Sequence, residues 1–114
     1  MTTYDPGDVV LVRFPFTDQA TSKKRPALVL SPTDYSKRYG DVVLLALTSK
    51  QQSPGELAVE HWKQAGLPKP SWFKPLLGTV TADLVVRRVG TLDAEDRRSA
   101  LTAIKLLIAD EFQP

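Results

Sequence analysis

Residues 42–47 constrain the fold of this chain more than any other stretch of it. All six are apolar, and they begin with two valines. Such a run is too short for a helix, and an unbroken apolar strand must be covered on both of its faces. We therefore predict a strand at the centre of a sheet, which ends in Thr48, Ser49 and Lys50.

Other short apolar segments, each bounded by turn residues, predict the remaining strands. They cover residues 9–14, 27–31, 56–60, an edge piece at 71–74, and 84–89. Residues 61–65 can form a helical turn that stops at Gly66. Asp93 is expected to cap a C-terminal helix with Asp96 in its third position. The apolar face predicted for that helix consists of Leu101, Ile104 and Ile108, with Leu107 and Phe112 alongside.

Five or six strands with a single helix favour a mainly β fold, an antiparallel barrel-like sheet. One helix cannot cover the apolar strand faces that remain, so a homodimer is expected, although some of those residues must fill the barrel interior. The 114 residues suit one domain spanning 1–114.

Composition excludes several classes of protein. The chain has no cysteine, which rules out disulfides and cysteine-based zinc sites. No apolar run could span a bilayer and no signal sequence opens the chain, so we expect a cytoplasmic protein without membrane contact. A net charge of +2 and a pI near 9.0 permit an acidic partner without requiring one.

Familiar catalytic motifs are also missing from the sequence. A single histidine, His61, rules out a ribonuclease that uses two histidines of one chain as acid and base. The carboxylates show neither a calcium-loop pattern nor a His-Glu-x-x-His spacing, so we predict no metal and no cofactor. Glycine-rich phosphate loops and serine nucleophile motifs are absent as well.

A basic segment leads into the second predicted strand, at Lys23, Lys24 and Arg25. Pro26 biases Arg25 towards an extended conformation at the mouth of that strand. If strands two and three are antiparallel neighbours, Arg25 and the pair Thr48-Ser49 lie at the same edge of the sheet. An arginine fork beside a hydroxyl suits phosphoryl chemistry. The alternatives are an ordinary solvated loop tip and a turn that merely ends a strand.

Two further groups of residues have competing interpretations. Arg87 and Arg88 must project to opposite faces of a strand, and we expect them to form ion pairs at the barrel rim. Trp72 and Phe73, beside Lys74, could stack on nucleic-acid bases, but aromatic residues flanked by prolines more often pack against the protein.

Several ordered sequence blocks resemble the MazF/PemK family of toxin endoribonucleases. They are residues 7–12, 15–18, 24–31 and 47–49, followed by 65–67 with 69–71, and 86–90. The resemblance implies an SH3-like barrel of antiparallel strands with a C-terminal α-helix, a homodimer and an antitoxin partner. It also implies metal-independent, sequence-specific cleavage of single-stranded RNA.

Carried over by motif, the resemblance makes Arg25 and Thr48 the catalytic pair. The substrate contacts that it implies are Phe16, Thr17, Lys23, Lys24, Ser49 and Lys74. Many family members carry an acidic residue two places after the position of Lys74, where this chain has Leu76. The loop at residues 17–24 also lacks the glycine that some other toxins of the family have there.

RNA carries its own nucleophile, the 2′-hydroxyl, so a protein need only align it with the adjacent phosphate and stabilise the developing charge. The product would be a 2′,3′-cyclic phosphate. Two other functions remain open at this stage. One is a protein poison like the CcdB gyrase toxins, which binds a topoisomerase and cleaves nothing, and the other is a catalytically silent barrel that binds nucleic acid.

Overall fold

The strands and helices of the protein surround two hydrophobic clusters. The computed structural model describes residues 3–13 and 23–114. Within them the strands are β1 (Asp8–Arg13), β2 (Lys24–Val29), β3 (Asp41–Thr48), β4 (Trp72–Thr81) and β5 (Val85–Thr91). The helices are α1 (Tyr35–Tyr39) and α2 (Ala94–Lys105), and short 3₁₀ turns occur at Gly55–Leu57, Ala82–Leu84 and Asp110–Phe112.

The strands form one antiparallel sheet in the order β4-β3-β2-β1-β5. This sheet, with α2 as the main helix, confirms the predicted mainly β class. The predicted position of residues 42–47 at the centre is wrong, because β2 is the middle strand and β3 lies between β2 and β4. The middle strand is β2 because β1 pairs with β5 as well as with β2, so two strands lie on each side of β2.

One hydrophobic cluster is lined by all five strands, so the sheet curls around it as the wall of a barrel does. Its strand residues are Val10, Val12, Ala27, Val29, Val42, Leu44, Val80 and Val85. The second cluster lies on the outer face and contains Val9, Leu28, Leu45, Leu47 and Phe73 from the strands. Most apolar residues on both faces of β1, β2 and β3 are therefore buried within a single chain.

The cover of the outer face differs from the prediction. Besides α2, the segment from Leu57 to Leu67 covers this face of the sheet. It contributes Leu57, Val59, Ala65 and Leu67 to the outer cluster. The expectation that one helix would leave the strand faces uncovered is therefore wrong.

Helix α2 begins as predicted, since the Asp93 carboxylate accepts a hydrogen bond from the backbone N–H of Asp96 at 2.9 Å. Its buried residues, however, are Asp96, Ala100 and Ala103, because small side chains allow the helix to lie close to the sheet. The large residues of the predicted apolar face are mostly exposed: Leu101, Leu107, Ile108 and Phe112. Neither helix in the described part of the chain is long and apolar enough to cross a membrane.

Residues 56–60 do not form the predicted strand. They contain a 3₁₀ turn and a single bridge between Ala58 and Trp72. The backbone N–H of Glu60 donates to the Asp96 carboxylate at 2.8 Å, so it has no strand partner. Strand β4 is much longer than the predicted edge piece at 71–74. It contains Pro75, which an edge strand tolerates because a missing N–H can face away from the neighbouring strand.

Candidate functional site

The start of β2 and the end of β3 meet at one edge of the sheet. Ala27 pairs with Ala46, and continuing this antiparallel register by two residues sets Arg25 opposite Thr48. Both residues line one cavity of about 270 Å³. Two side chains 23 positions apart in the sequence therefore share a site, as the neighbouring-strand argument predicts.

Positive charge dominates this cavity. Its lining residues are Lys24, Arg25, Pro26, Leu47, Thr48, Ser49, Lys50, Pro68, Lys69 and Ser71. Four of them are cations, and none of these described lining residues is a carboxylate. Like charges that converge on a recess raise the local concentration of ligands of opposite charge. The cavity is therefore suited to an anion with several oxygens, such as a phosphate.

The Thr48 hydroxyl is oriented by its own turn. The backbone N–H of Lys50 donates to Thr48 Oγ1 at 3.1 Å. Such a bond between residues two positions apart is typical of the turn that follows a strand. A hydroxyl has one hydrogen to donate and two lone pairs to accept with. Because Lys50 already occupies one lone pair, the hydroxyl hydrogen of Thr48 is well placed to donate to a bound oxygen.

Lys69 reaches the cavity through a turn that Ser71 stabilises. The buried Ser71 hydroxyl donates to the Lys69 carbonyl at 2.9 Å, and the Ser71 carbonyl accepts from the N–H of Val59 at 2.9 Å. These two bonds hold the turn against the outer face. The sequence predicts no site role for Lys50, Lys69 and Ser71, although Lys50 directly follows Thr48-Ser49 and a Lys-Pro-Ser motif contains the other two.

The structure brings together only some of the predicted substrate contacts. Lys24 and Ser49 line the cavity with Arg25 and Thr48. Lys23 is exposed just before β2, and Lys74 is half-buried on β4; neither lines the cavity. Phe16 and Thr17 lie outside the described residues, as does most of the loop at 17–24.

Arg87 and Arg88 lie on opposite faces of β5, as predicted. Arg88 pairs with Val10 in the sheet, whereas Arg87 pairs with Leu11. Arg88 Nε donates to the buried Asp8 carboxylate at 2.7 Å, which confirms its expected ion pair. In residues 3–13 and 23–114 no such partner is found for the exposed Arg87.

His61 belongs to a second polar cluster, away from the cavity lining. Its Nδ1 lies 2.6 Å from an Asp93 carboxylate oxygen, and ligand atoms of His61, Asp93 and Asp96 lie within 4.8 Å of one another. The fully buried Asp96 also accepts hydrogen bonds from the backbone N–H groups of Glu60 and His61. Because Asp93 caps α2 and Asp96 accepts hydrogen bonds from these amides, the cluster joins α2 to the segment from Leu57 to Leu67.

Several solved structures share this fold, and MazF toxins are among them. A chain of the MazE-MazF crystal structure from Deinococcus radiodurans aligns with a TM-score of 0.72 and 20% identity, covering 93% of this chain and 96% of that one. A mycobacterial endoribonuclease in complex with its cognate antitoxin gives 0.71 and 15%, covering 91% and 93%. Toxin MazF-mt6 of Mycobacterium tuberculosis gives 0.69 and 19%, covering 88% and 94%. At such identities the likeness establishes the fold.

Sequence comparison assigns the family. No curated protein sequence matches the chain significantly. The profile of the PemK-like, MazF-like toxins of type II toxin-antitoxin systems, however, matches residues 5–108. That range contains every strand, both helices and the whole lining of the cavity. The chain therefore belongs to the PemK-like, MazF-like toxin family of type II toxin-antitoxin systems.

Proposed function

We propose that this toxin is an endoribonuclease that cleaves single-stranded messenger RNA at short sequences and needs no metal ion. The observation that supports the proposal most is the convergence of Arg25 and Thr48 in one cationic cavity. Similarly folded proteins include a mycobacterial endoribonuclease, which supports the same reaction class.

The proposed reaction is a transfer of the phosphoryl group within the RNA. The 2′-hydroxyl attacks the adjacent phosphorus and loses its proton, while the bond to the 5′-oxygen breaks and that oxygen gains a proton. The products are a 2′,3′-cyclic phosphate and a 5′-hydroxyl. Since the nucleophile belongs to the substrate, alignment and charge stabilisation are what the protein must supply.

Arg25 is proposed to stabilise the negative charge on the phosphate oxygens in the transition state. Its planar fork can donate two parallel hydrogen bonds to two oxygens. A guanidinium stays protonated at all ordinary pH values, so Arg25 acts through its charge and not as a base. Thr48 donates its hydroxyl hydrogen to a third oxygen, which fits the lone pair already occupied by the Lys50 amide.

The remaining cations are proposed to hold the substrate strand. Lys24 and Ser49, with Lys50 and Lys69, surround the reacting phosphate and supply the positive charge that a metal ion provides in other nucleases. Phe16, Thr17, Lys23 and Lys74 are proposed to contact the RNA beyond the cavity.

We also propose three properties of the assembled toxin. It acts in the cytoplasm, where messenger RNA is found. It forms a homodimer through the apolar residues that follow α2. An antitoxin neutralises it, as the complex of one similarly folded protein suggests, and a cationic cavity suits an acidic antitoxin segment.

The decisive experiment incubates the purified toxin with a long RNA in the presence of a chelator, and measures binding beside cleavage. We expect discrete fragments that end in a cyclic phosphate. Intact RNA that is bound would favour the silent nucleic-acid-binding barrel. Intact, unbound RNA together with inhibition of a topoisomerase would favour a poison like CcdB.

Thr48 provides a matched pair of variants for the same assay. Thr48→Ala removes the hydroxyl and should lower kcat strongly, whereas Thr48→Ser keeps the hydroxyl and should retain much of the activity. Equal loss in both variants would show that the methyl group matters as much as the hydroxyl.

A further inference from the structure

A row of cations continues from the cavity across the outer face of the sheet. Arg13 on β1 is the direct pairing partner of Lys24 on β2. Leu11, two residues before Arg13, pairs with Pro26 on one side and with Arg87 on the other. Directly paired residues share a face, and so do residues two apart on one strand. Lys24, Arg13 and Arg87 therefore lie on one face, which we call the cationic row.

The cationic row crosses three adjacent strands, β2, β1 and β5. Two interstrand spacings amount to about 10 Å, and side chains of this length extend the reach further. Lys24 also lines the cavity, so the row begins where the proposed reaction takes place. All three cations are exposed to solvent.

The two ends of the cationic row, Lys24 and Arg87, are exposed in the part of the chain that the structure describes. Arg88, the neighbour of Arg87 on the opposite face, forms the ion pair with Asp8. Within the described residues neither Lys24 nor Arg87 forms an ion pair with a carboxylate. Leu11 and Pro26 between them are half-buried, which leaves a partly apolar strip between the charges.

Resting on the proposed endoribonuclease function, we propose that the cationic row binds the phosphates of the RNA strand on one side of the cleaved bond. A strand held in the cavity must leave it over the neighbouring surface, and the row provides exposed positive charge that is continuous with the cavity. Each exposed cation that contacts a phosphate releases a counterion, which contributes to affinity regardless of base sequence. Arg87 is then a substrate-positioning residue at the far end of the row.

The test measures how RNA binding depends on salt. The protein carries Thr48→Ala to prevent cleavage, and Arg87→Gln is added because glutamine keeps most of the side-chain stem without its charge. Arg98→Gln, which alters an exposed arginine of α2 outside the row, is the matched control. The probes are a short oligonucleotide that spans the cleaved bond and the same oligonucleotide extended on its 5′ or its 3′ side.

Arg87→Gln should reduce the log-log salt slope by about 0.7, the value for one lost phosphate contact on a single strand. The reduction should occur with one of the two extended oligonucleotides and should be smaller with the short one. Arg98→Gln should leave every slope unchanged. Circular dichroism of both variants confirms that they are folded.

Three outcomes would overturn the inference, and they are distinguishable. If the parent toxin cleaves RNA but Arg87→Gln changes no slope, the row does not bind the substrate and the proposed function stands. If Arg87→Gln weakens binding of an acidic antitoxin peptide and leaves RNA binding intact, the row is a protein-binding surface. If the parent toxin neither binds nor cleaves RNA, the proposed function itself fails before any variant is compared.

Discussion

Arg25 combines a fixed backbone with an always-charged side chain at the mouth of the cavity. Pro26 follows it and restricts its backbone to an extended conformation, and the pairing of β1 with β2 sets Arg25 beside Val12. The side chain is half-buried, unlike the exposed Lys24 next to it. A partly buried guanidinium has little freedom to lose when a phosphate binds, which favours a catalytic function over simple attraction.

Arg25→Ala should lower kcat by roughly 10²- to 10⁵-fold, the range for lost oxyanion donors and arginine fingers. Substrate binding should weaken far less, because the other cations of the cavity remain. Arg25→Lys should restore little activity, since an ammonium cannot donate two parallel hydrogen bonds. Single-turnover cleavage and separate binding measurements provide these values. A lysine variant as fast as the parent would show that charge alone is sufficient.

Gly66 is a second position at which the fold determines the residue type. Its φ of +87° belongs to the region that favours glycine, and a Cβ at this position would overlap the carbonyl oxygen of Val89. The segment that carries Lys69 towards the cavity thus passes directly against the backbone of β5.

We expect Gly66→Ala to destabilise the fold by about 2 kcal/mol or more, from backbone strain combined with a steric clash. Gly55→Ala is the matched control, because nothing lies within 4 Å of a Cβ at that position. Urea denaturation of both variants measures the difference. Equal stability of the two would mean that β5 moves aside without cost.

At the scale of elements, one buried carboxylate attaches α2 to the segment from Leu57 to Leu67, which precedes β4 in the chain. Asp96 is fully buried and accepts hydrogen bonds from the backbone N–H groups of Glu60 at 2.8 Å and His61 at 3.0 Å. Two backbone donors that have no strand partner are satisfied in this way. The same contact directs the N–H of Glu60 towards α2, so the single bridge between Ala58 and Trp72 does not extend into a strand through Glu60.

Asp96→Ala should lower the free energy of unfolding by about 2 to 4 kcal/mol, since it leaves two backbone donors without their acceptor. Glu95→Ala, an exposed acid in the same helical turn, should change it by less than about 0.5 kcal/mol. Chemical denaturation monitored by circular dichroism tests both. If Asp96→Ala were as stable as the parent, water would have to replace the carboxylate.

Much of the sheet was predictable from the sequence, because β1, β2, β3 and β5 are short apolar segments bounded by turn residues. Strand β4 was largely missed because Pro75 and Gly78 interrupt its pattern. The bond between Glu60 and Asp96 joins positions 36 apart, and no local pattern predicts it. Similarly, the shared position of Arg25 and Thr48 at one cavity follows from a rule about neighbouring strands. The position of Lys69 depends instead on a turn that is held by a contact between Ser71 and Val59.

At the scale of the whole molecule, the exposed large apolar residues are most concentrated after α2, whereas on the strands Leu77 and Val86 are exposed singly. Leu106 is 55% exposed and Phe112 is 81% exposed. The Gln113 side chain donates to the Ile108 carbonyl at 2.7 Å, which holds this C-terminal segment in a defined shape. A fixed apolar segment with this exposure suits an interface between two copies of the chain.

Sedimentation at micromolar concentration should therefore give twice the mass of the 12.6 kDa chain. Leu107→Glu should shift the protein towards the monomer, because a charge would be buried in the interface. Lys105→Glu, on the last turn of α2, is the control for the change in charge. A parent protein that sediments at 12.6 kDa would contradict the dimer.

The cavity is assembled from three separate parts of the chain, which has a consequence for the synthesis of this toxin. Lys24 to Pro26 leave the ribosome first, Leu47 to Lys50 follow, and Pro68 to Ser71 come last. The sheet that fixes them also requires β5, which ends at Thr91. Because a partly made chain lacks β5, we expect the cavity to form only when nearly the whole protein has been translated. Under the proposed function, a nascent toxin would therefore not cleave the message that encodes it before that point.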